Sequence, residues 1–157
     1  MDRASKIHMA QQILNYKFQN EDLLWEALQT PAASITVLNG LKLTQGNKGL
    51  AGVGDAVITL VIKRDFYRMD RRIGETTQNL NSLTNNRRFA SKCRETGLEG
   101  CINDNQHRGF VSSRTLADTL EAVIGAVYFD GGIDSAKLAM QSLRIIDSLN
   151  TTDSYDF

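Results

Sequence analysis

Between Leu116 and Gly132, two carboxylates sit inside an apolar helical run that reads Ala-Asp-Thr-Leu-Glu-Ala-Val-Ile-Gly-Ala-Val-Tyr-Phe-Asp-Gly-Gly from Ala117 onward. Asp118 and Glu121 are three positions apart, so both project from one face of a helix. The flanking Leu120, Ala122, Val123, Ile124, Ala126 and Val127 predict that this helix is buried over most of its circumference. Acids entering an apolar site cost several kcal/mol each or take up protons, unless a divalent cation or basic partners compensate them. The other reading leaves them in solvent near the helix start, where acids suit the helix dipole. On the residues alone both stay open.

Length sets the frame for that helix. A chain of 157 residues is one domain, large enough for a core without disulfides or metal staples; we read 1–150 as the domain and 151–157 as a frayed tail. No run of eighteen apolar residues and no charged-then-apolar leader follows Met1, so the expectation is a soluble, non-membrane chain without a conventional secretion signal. Cys93 and Cys101 match no zinc spacing and read as reduced thiols, in keeping with an intracellular compartment. The 18 Lys+Arg balance the 18 Asp+Glu, which argues against a binder of nucleic acid that relies on overall charge. The balance is uneven along the chain. The tract 63–114 holds eleven basic residues against six acids, and the remainder carries the opposite excess. Two readings fit: a phosphate-facing side next to an acidic one, or ordinary solvated helix faces.

In chain order, Ile7, Ala10, Ile13 and Leu14 predict an amphipathic helix over 4–14. Tyr16 and Phe18 follow as anchors, and Asn20 is placed to cap a second helix running to Leu28, before the sole proline, Pro31. Residues 34–46 read as a loop with room for a small hairpin around Asn39-Gly40. Residues 47–68 form a central buried helix. Its opening Gly49-Leu-Ala-Gly-Val-Gly54 has neither the preceding strand nor the following Gly-Lys-Ser/Thr of a phosphate loop, so close backbone approach to another helix is the better reading. After a charged turn at 71–75, the stretch 76–97 is polar but helix-compatible. Residues 103–109 form a polar loop, whose His107 takes no catalytic role. The acid-bearing helix then covers 112–129, ends at Asp130-Gly131-Gly132, and is followed by a last helix over 133–149. The long elements are all helical, which makes the fold class all-α.

These blocks together resemble the ribonuclease III endonuclease domain. The resemblance runs through Tyr16-Lys-Phe18, Asp22 to Leu28, Asn47 to Asp55, Asn81 to Asn86 and, most specifically, Ala117 to Gly132. It implies a single-domain form without a double-stranded-RNA-binding domain. It further implies an all-helical fold that forms a homodimer and cleaves double-stranded RNA with Mg²⁺, Mn²⁺ being an alternative ion, in the cytoplasm, nucleus or mitochondrion. By the same resemblance Asp55, Asp118 and Glu121 are the metal ligands and catalytic acids, and Arg87, Arg88, Lys48 and Arg114 are candidates for the RNA backbone. The family signature Asn-Glu-Arg-Leu-Glu-Phe-Leu-Gly-Asp is here Asn47-Lys-Gly-Leu-Ala-Gly-Val-Gly-Asp55. Lys48 and Ala51 thus stand at two glutamate positions, and Gly52 stands where the family carries a phenylalanine that plugs its partner. Val53, Val57, Val123 and Val127 are expected to supply the apolar dimer surface. The resemblance also admits a second reading: an inactive member serving as a structural or RNA-binding component, like some mitochondrial ribosomal proteins.

Overall fold

The structure, a computed structural model, describes residues 1–33, 37–38, 40–69, 73–104 and 110–147, with positions 37, 41–42 and 73–77 described through the backbone alone. The expected tail 151–157 and His107 lie outside the described residues, as do Arg71 and Arg72 of the expected charged turn.

Six α-helices account for most of the described residues. Helix α1 (Arg3–Leu14) starts at Asp2, whose side chain accepts from the Ser5 N–H, and buries Ile7, Ala10 and Leu14. Helix α2 (Glu21–Ala27) is capped by Asn20, whose side chain accepts from the Asp22 N–H. This is the cap that the sequence predicts, with Glu21 and Asp22 adding charge suited to the dipole. The small hairpin is present as β1 (Val37–Leu38) antiparallel to β2 (Leu41–Lys42).

Helix α3 (Lys48–Arg68) and helix α6 (Ser113–Ser142) form the most extensive helix pair and the centre of the molecule. Along α6, Leu116, Ala117, Leu120 and every residue from Ala122 to Val127 are buried. The polar stretch 76–97 does not form one helix: α4 (Ile73–Leu83) and α5 (Asn86–Thr96) are separated at Thr84 and Asn85. Asn85 causes the break, since its side chain accepts from the Arg88 N–H and caps a new helix. Ile73, Gly74 and Glu75, expected in the charged turn, belong to α4.

Asp130-Gly131-Gly132 does more than end a helix. Gly132 adopts φ 86°, ψ −176° and breaks the run of α6 into two helical segments. Asp130 accepts from the Tyr16 hydroxyl at 2.8 Å and from the Gln19 and Asn20 N–H groups at 2.9 Å each. A Cβ on Gly131 would lie 2.3 Å from the Tyr16 hydroxyl oxygen, so glycine makes room for this lock. The second segment stops at Ser142, short of the predicted end at 149, and Arg144 turns the chain with φ 60°. Cys93 and Cys101 are buried free thiols, which burial pushes up to about 12 and about 11. They are inert core residues.

Candidate functional site

Two contacts between α3 and α6 determine where the acids meet. Near the start of α3, buried Asn47 donates to the Ala27 carbonyl at 2.8 Å and to Thr119 Oγ1 at 3.0 Å. Because Lys48 follows Asn47 and Asp118 precedes Thr119, this bond brings Lys48 and Asp118 to one place. At the second contact the two backbones touch. A Cβ on Gly54 would lie 1.7 Å from the Glu121 carbonyl oxygen, and one on Gly125 would lie 2.5 Å from the Leu50 carbonyl oxygen. Only hydrogen fits at both positions, so the glycine run is a helix-crossing device. Asp55 follows Gly54 and is thereby set beside Glu121.

The result is a cavity of about 410 Å³ lined by Asp55, Asp118 and Glu121, by Lys48 and Arg114, and by Ala51, Gly52, Thr84 and Asn86. Five of the seven site residues expected from sequence are together: Asp55, Asp118, Glu121, Lys48 and Arg114. Arg87 is exposed on α5 and does not line the cavity. Arg88 points elsewhere. Its guanidinium donates to the Leu83 carbonyl at 3.0 Å and to the Arg144 carbonyl at 3.2 Å, pinning the end of α4 to the chain beyond α6. Sequence reasoning passed over Thr84 and Asn86, which reach the cavity because the helix breaks there, and over Thr119, which is buried among apolar neighbours. Asn47 was legible only as a helix start.

The cavity is electrostatically loaded. Burial, reinforced by the charges of Asp55 and Asp118, pushes the Glu121 carboxyl up to about 8. Burial also raises Asp118, opposed by Arg114 and Lys48. Neither cation makes an ion pair within the described residues. Three crowded oxygen donors, one of which burial and its acidic neighbours keep protonated into the neutral range, are the donor chemistry of a hard divalent cation. The side chains as placed do not converge on a point: among the described residues no three His, Cys, Asp or Glu groups are set to hold a metal ion directly. Mg²⁺ fits such an open set because it retains several waters and takes only one or two protein carboxylates.

A second, apolar groove lies on the other flank of α3, formed by Gly49, Gly52, Val53, Ala56, Val57, Leu60, Tyr128 and Ile133. Leu60, Tyr128 and the neighbouring Phe129 are exposed at 57%, 39% and 57%. Of the four residues expected on such a face, Val53 and Val57 line the groove, whereas Val123 and Val127 do not. Val57, Val123 and Val127 are buried within the chain, and only Val53 is partly exposed. A helix buried all round carries the same apolar letters as one awaiting a partner. No helix of the described residues is long and apolar enough to cross a membrane.

An all-helical domain with carboxylates from two crossing helices around one basic-rimmed cavity defines a restricted class, and comparison places the chain within it. The family model described as Ribonuclease III domain matches residues 48–132, from Lys48 to the helix break at Gly132. The chain belongs to the ribonuclease III domain family. Among its relatives, Ribonuclease 3 of Campylobacter curvus is 29% identical over 142 residues, covering 86% of this chain and 60% of that protein. Ribonuclease 3 of Symbiobacterium thermophilum is 33% identical over 135 residues, covering 79% and 53%. The chain thus spans little more than half the length of these relatives. Two solved structures of the nuclease domain of ribonuclease III from Campylobacter jejuni superpose with TM-scores of 0.73 and 0.72 at 26% and 25% identity. They cover 88% and 87% of this chain and 96% and 92% of their own. The first is described as flexible in a region involved in dimer formation.

Proposed function

We propose that the chain is a Mg²⁺-dependent endoribonuclease of the ribonuclease III type acting on double-stranded RNA. The observation that carries this reading is the cavity where α3 and α6 cross, in which three carboxylates and the cations of Lys48 and Arg114 face one space. Asp55, Asp118 and Glu121 would hold the ion. When bound, Mg²⁺ or Mn²⁺ supplies Lewis acidity to a phosphodiester and to the attacking water. Lys48 and Arg114 neutralise phosphate oxygens entering the cavity. Asn86 and Thr84 offer hydrogen-bonding groups beside them. The backbone crossing keeps the two acid-bearing helices from shifting, so these groups need little rearrangement to meet a substrate.

Assembly as a homodimer belongs to the same reading. The apolar groove beside Gly52 supports it, as does the dimer-forming region named for one of the solved nuclease domains.

The test is incubation of the purified chain with labelled double-stranded RNA, with and without Mg²⁺ or Mn²⁺. Cleavage that requires the ion and disappears in Glu121→Gln supports the reading, since an amide keeps the shape but is a poor ligand. Undiminished cleavage by that variant would trace the activity to another source. Lys48 and Ala51 at the cavity favour the second reading, an inactive domain that binds RNA. Its signature is salt-sensitive RNA binding with no ion-dependent products.

A further inference from the structure

We infer that the cavity is built for a single divalent ion, with the Lys48 ammonium supplying the second positive charge at the phosphodiester. The inference rests on the nuclease reading for its substrate, but its core concerns charge and ligands.

The cavity wall holds three carboxylates against two cations. With all three ionised, one negative charge is left over. One divalent ion turns that into a single positive charge, and an entering phosphodiester cancels it. A second ion would leave two uncompensated positive charges in a partly buried site, where charge imbalance is costly.

Ligand supply gives the same answer. Two-metal sites place their ions about 4 Å apart, and each ion takes one or two protein carboxylates. Here the wall contributed by α3 has only Asp55 as a donor. The other α3 residues lining the cavity are Lys48, Ala51 and Gly52, which offer no anionic side chain. Lys48, Ala51 and Asp55 share a face of α3 at intervals of three and four residues, so the ammonium and the carboxylate stand at two ends of one stripe. Asn47 anchors that end by its bond to Thr119, keeping Lys48 beside Asp118. Lys48 is exposed and makes no ion pair among the described residues, so its ammonium is available to a phosphate oxygen.

The experiment counts ions directly. Mn²⁺ is titrated into the chain and into Lys48→Gln and Lys48→Glu, and free Mn²⁺ is followed by electron paramagnetic resonance. Double-stranded RNA binding is measured in parallel in Ca²⁺ across a salt series. The inference expects about one Mn²⁺ per chain in the parent and in Lys48→Gln, and about two in Lys48→Glu, where the added carboxylate completes a second site. It also expects Lys48→Gln to lower the slope of log affinity against log salt by about one unit, the mark of one lost phosphate contact. Two ions in the parent chain, no ion at all, or a Lys48→Glu count that stays at one would overturn it. An unchanged salt slope in Lys48→Gln would do the same. The ion count is independent of turnover, so one ion and a lowered slope without cleavage uphold this inference and count against the nuclease reading alone.

Discussion

Glu121 carries the sharpest consequence at the scale of single residues. Burial first, then Asp55 and Asp118, raise its carboxyl to about 8. A raised acid favours the folded state while protonated, so the associated stability is present below the usual glutamate value near 4.5 and is lost as pH rises towards 8. In metal-free buffer, Glu121→Gln is therefore expected to melt higher than the parent chain at pH 9 and close to it at pH 4.5. Allowing for solvent screening of a half-buried group, the gap is about 1 kcal/mol, or roughly 2–4 °C. Added Mg²⁺ should raise the melting temperature of the parent more than that of the variant; thermal melts across pH with chelator and with Mg²⁺ check both. Asp130 has the opposite sign. Burial works against its charge, but the Gln19 and Asn20 N–H groups and the Tyr16 hydroxyl outweigh that and hold its carboxyl below the usual range. Its contribution is present at neutral pH and lost as pH falls through the lowered value. Asp130→Asn is expected to cost about 1–2 kcal/mol at pH 7, a penalty that shrinks in acid melts.

At the scale of elements, glycines of one helix separate by sign. Gly54 meets the Glu121 backbone, whereas a Cβ on Gly52 finds nothing within 4 Å. Gly54→Ala is expected to lose about 3 kcal/mol or more, because neither backbone can yield, and to spoil any ion-dependent activity with it. Gly52→Ala should gain about 0.5–1 kcal/mol from helix propensity alone. Chemical denaturation of the two variants side by side checks the pair. The same comparison shows what the sequence discloses of the elements. The glycine cluster, the Asn20 cap and the Asp-Gly-Gly break follow from local chemistry and were legible. The division of 76–97 was not, because Thr84, Asn85 and Asn86 suit a helix surface as well as a cap. The early end of α6 was hidden too, since the turn at Arg144 uses a positive φ without a glycine to announce it. The acids were legible as a pair on α6. Their meeting with Asp55 was supplied by family resemblance, since no local pattern relates residues some sixty positions apart.

On the scale of the whole molecule, the proposed dimer is tested at the apolar groove beside α3. Sedimentation at micromolar concentration is expected to give a species of twice the 17.4 kDa chain mass, and Leu60→Asp is expected to shift it to monomer with its helical content unchanged, because Leu60 is exposed at 57%. A parent chain that runs as a monomer would remove the dimer. The crossing of α3 and α6 has a consequence for how this domain can change over time. Contact between two backbones does not depend on which side chains surround it, and the residues lining the cavity are attached to that frame without forming it. Letters at the exposed positions 48 and 114 can therefore be exchanged with the scaffold standing, whereas 54 and 125 are closed to all but hydrogen. The geometry is inherited as a fixed mount and the chemistry as a set of replaceable fittings, so a lineage can lose, alter or regain a reaction here without having to learn a new fold.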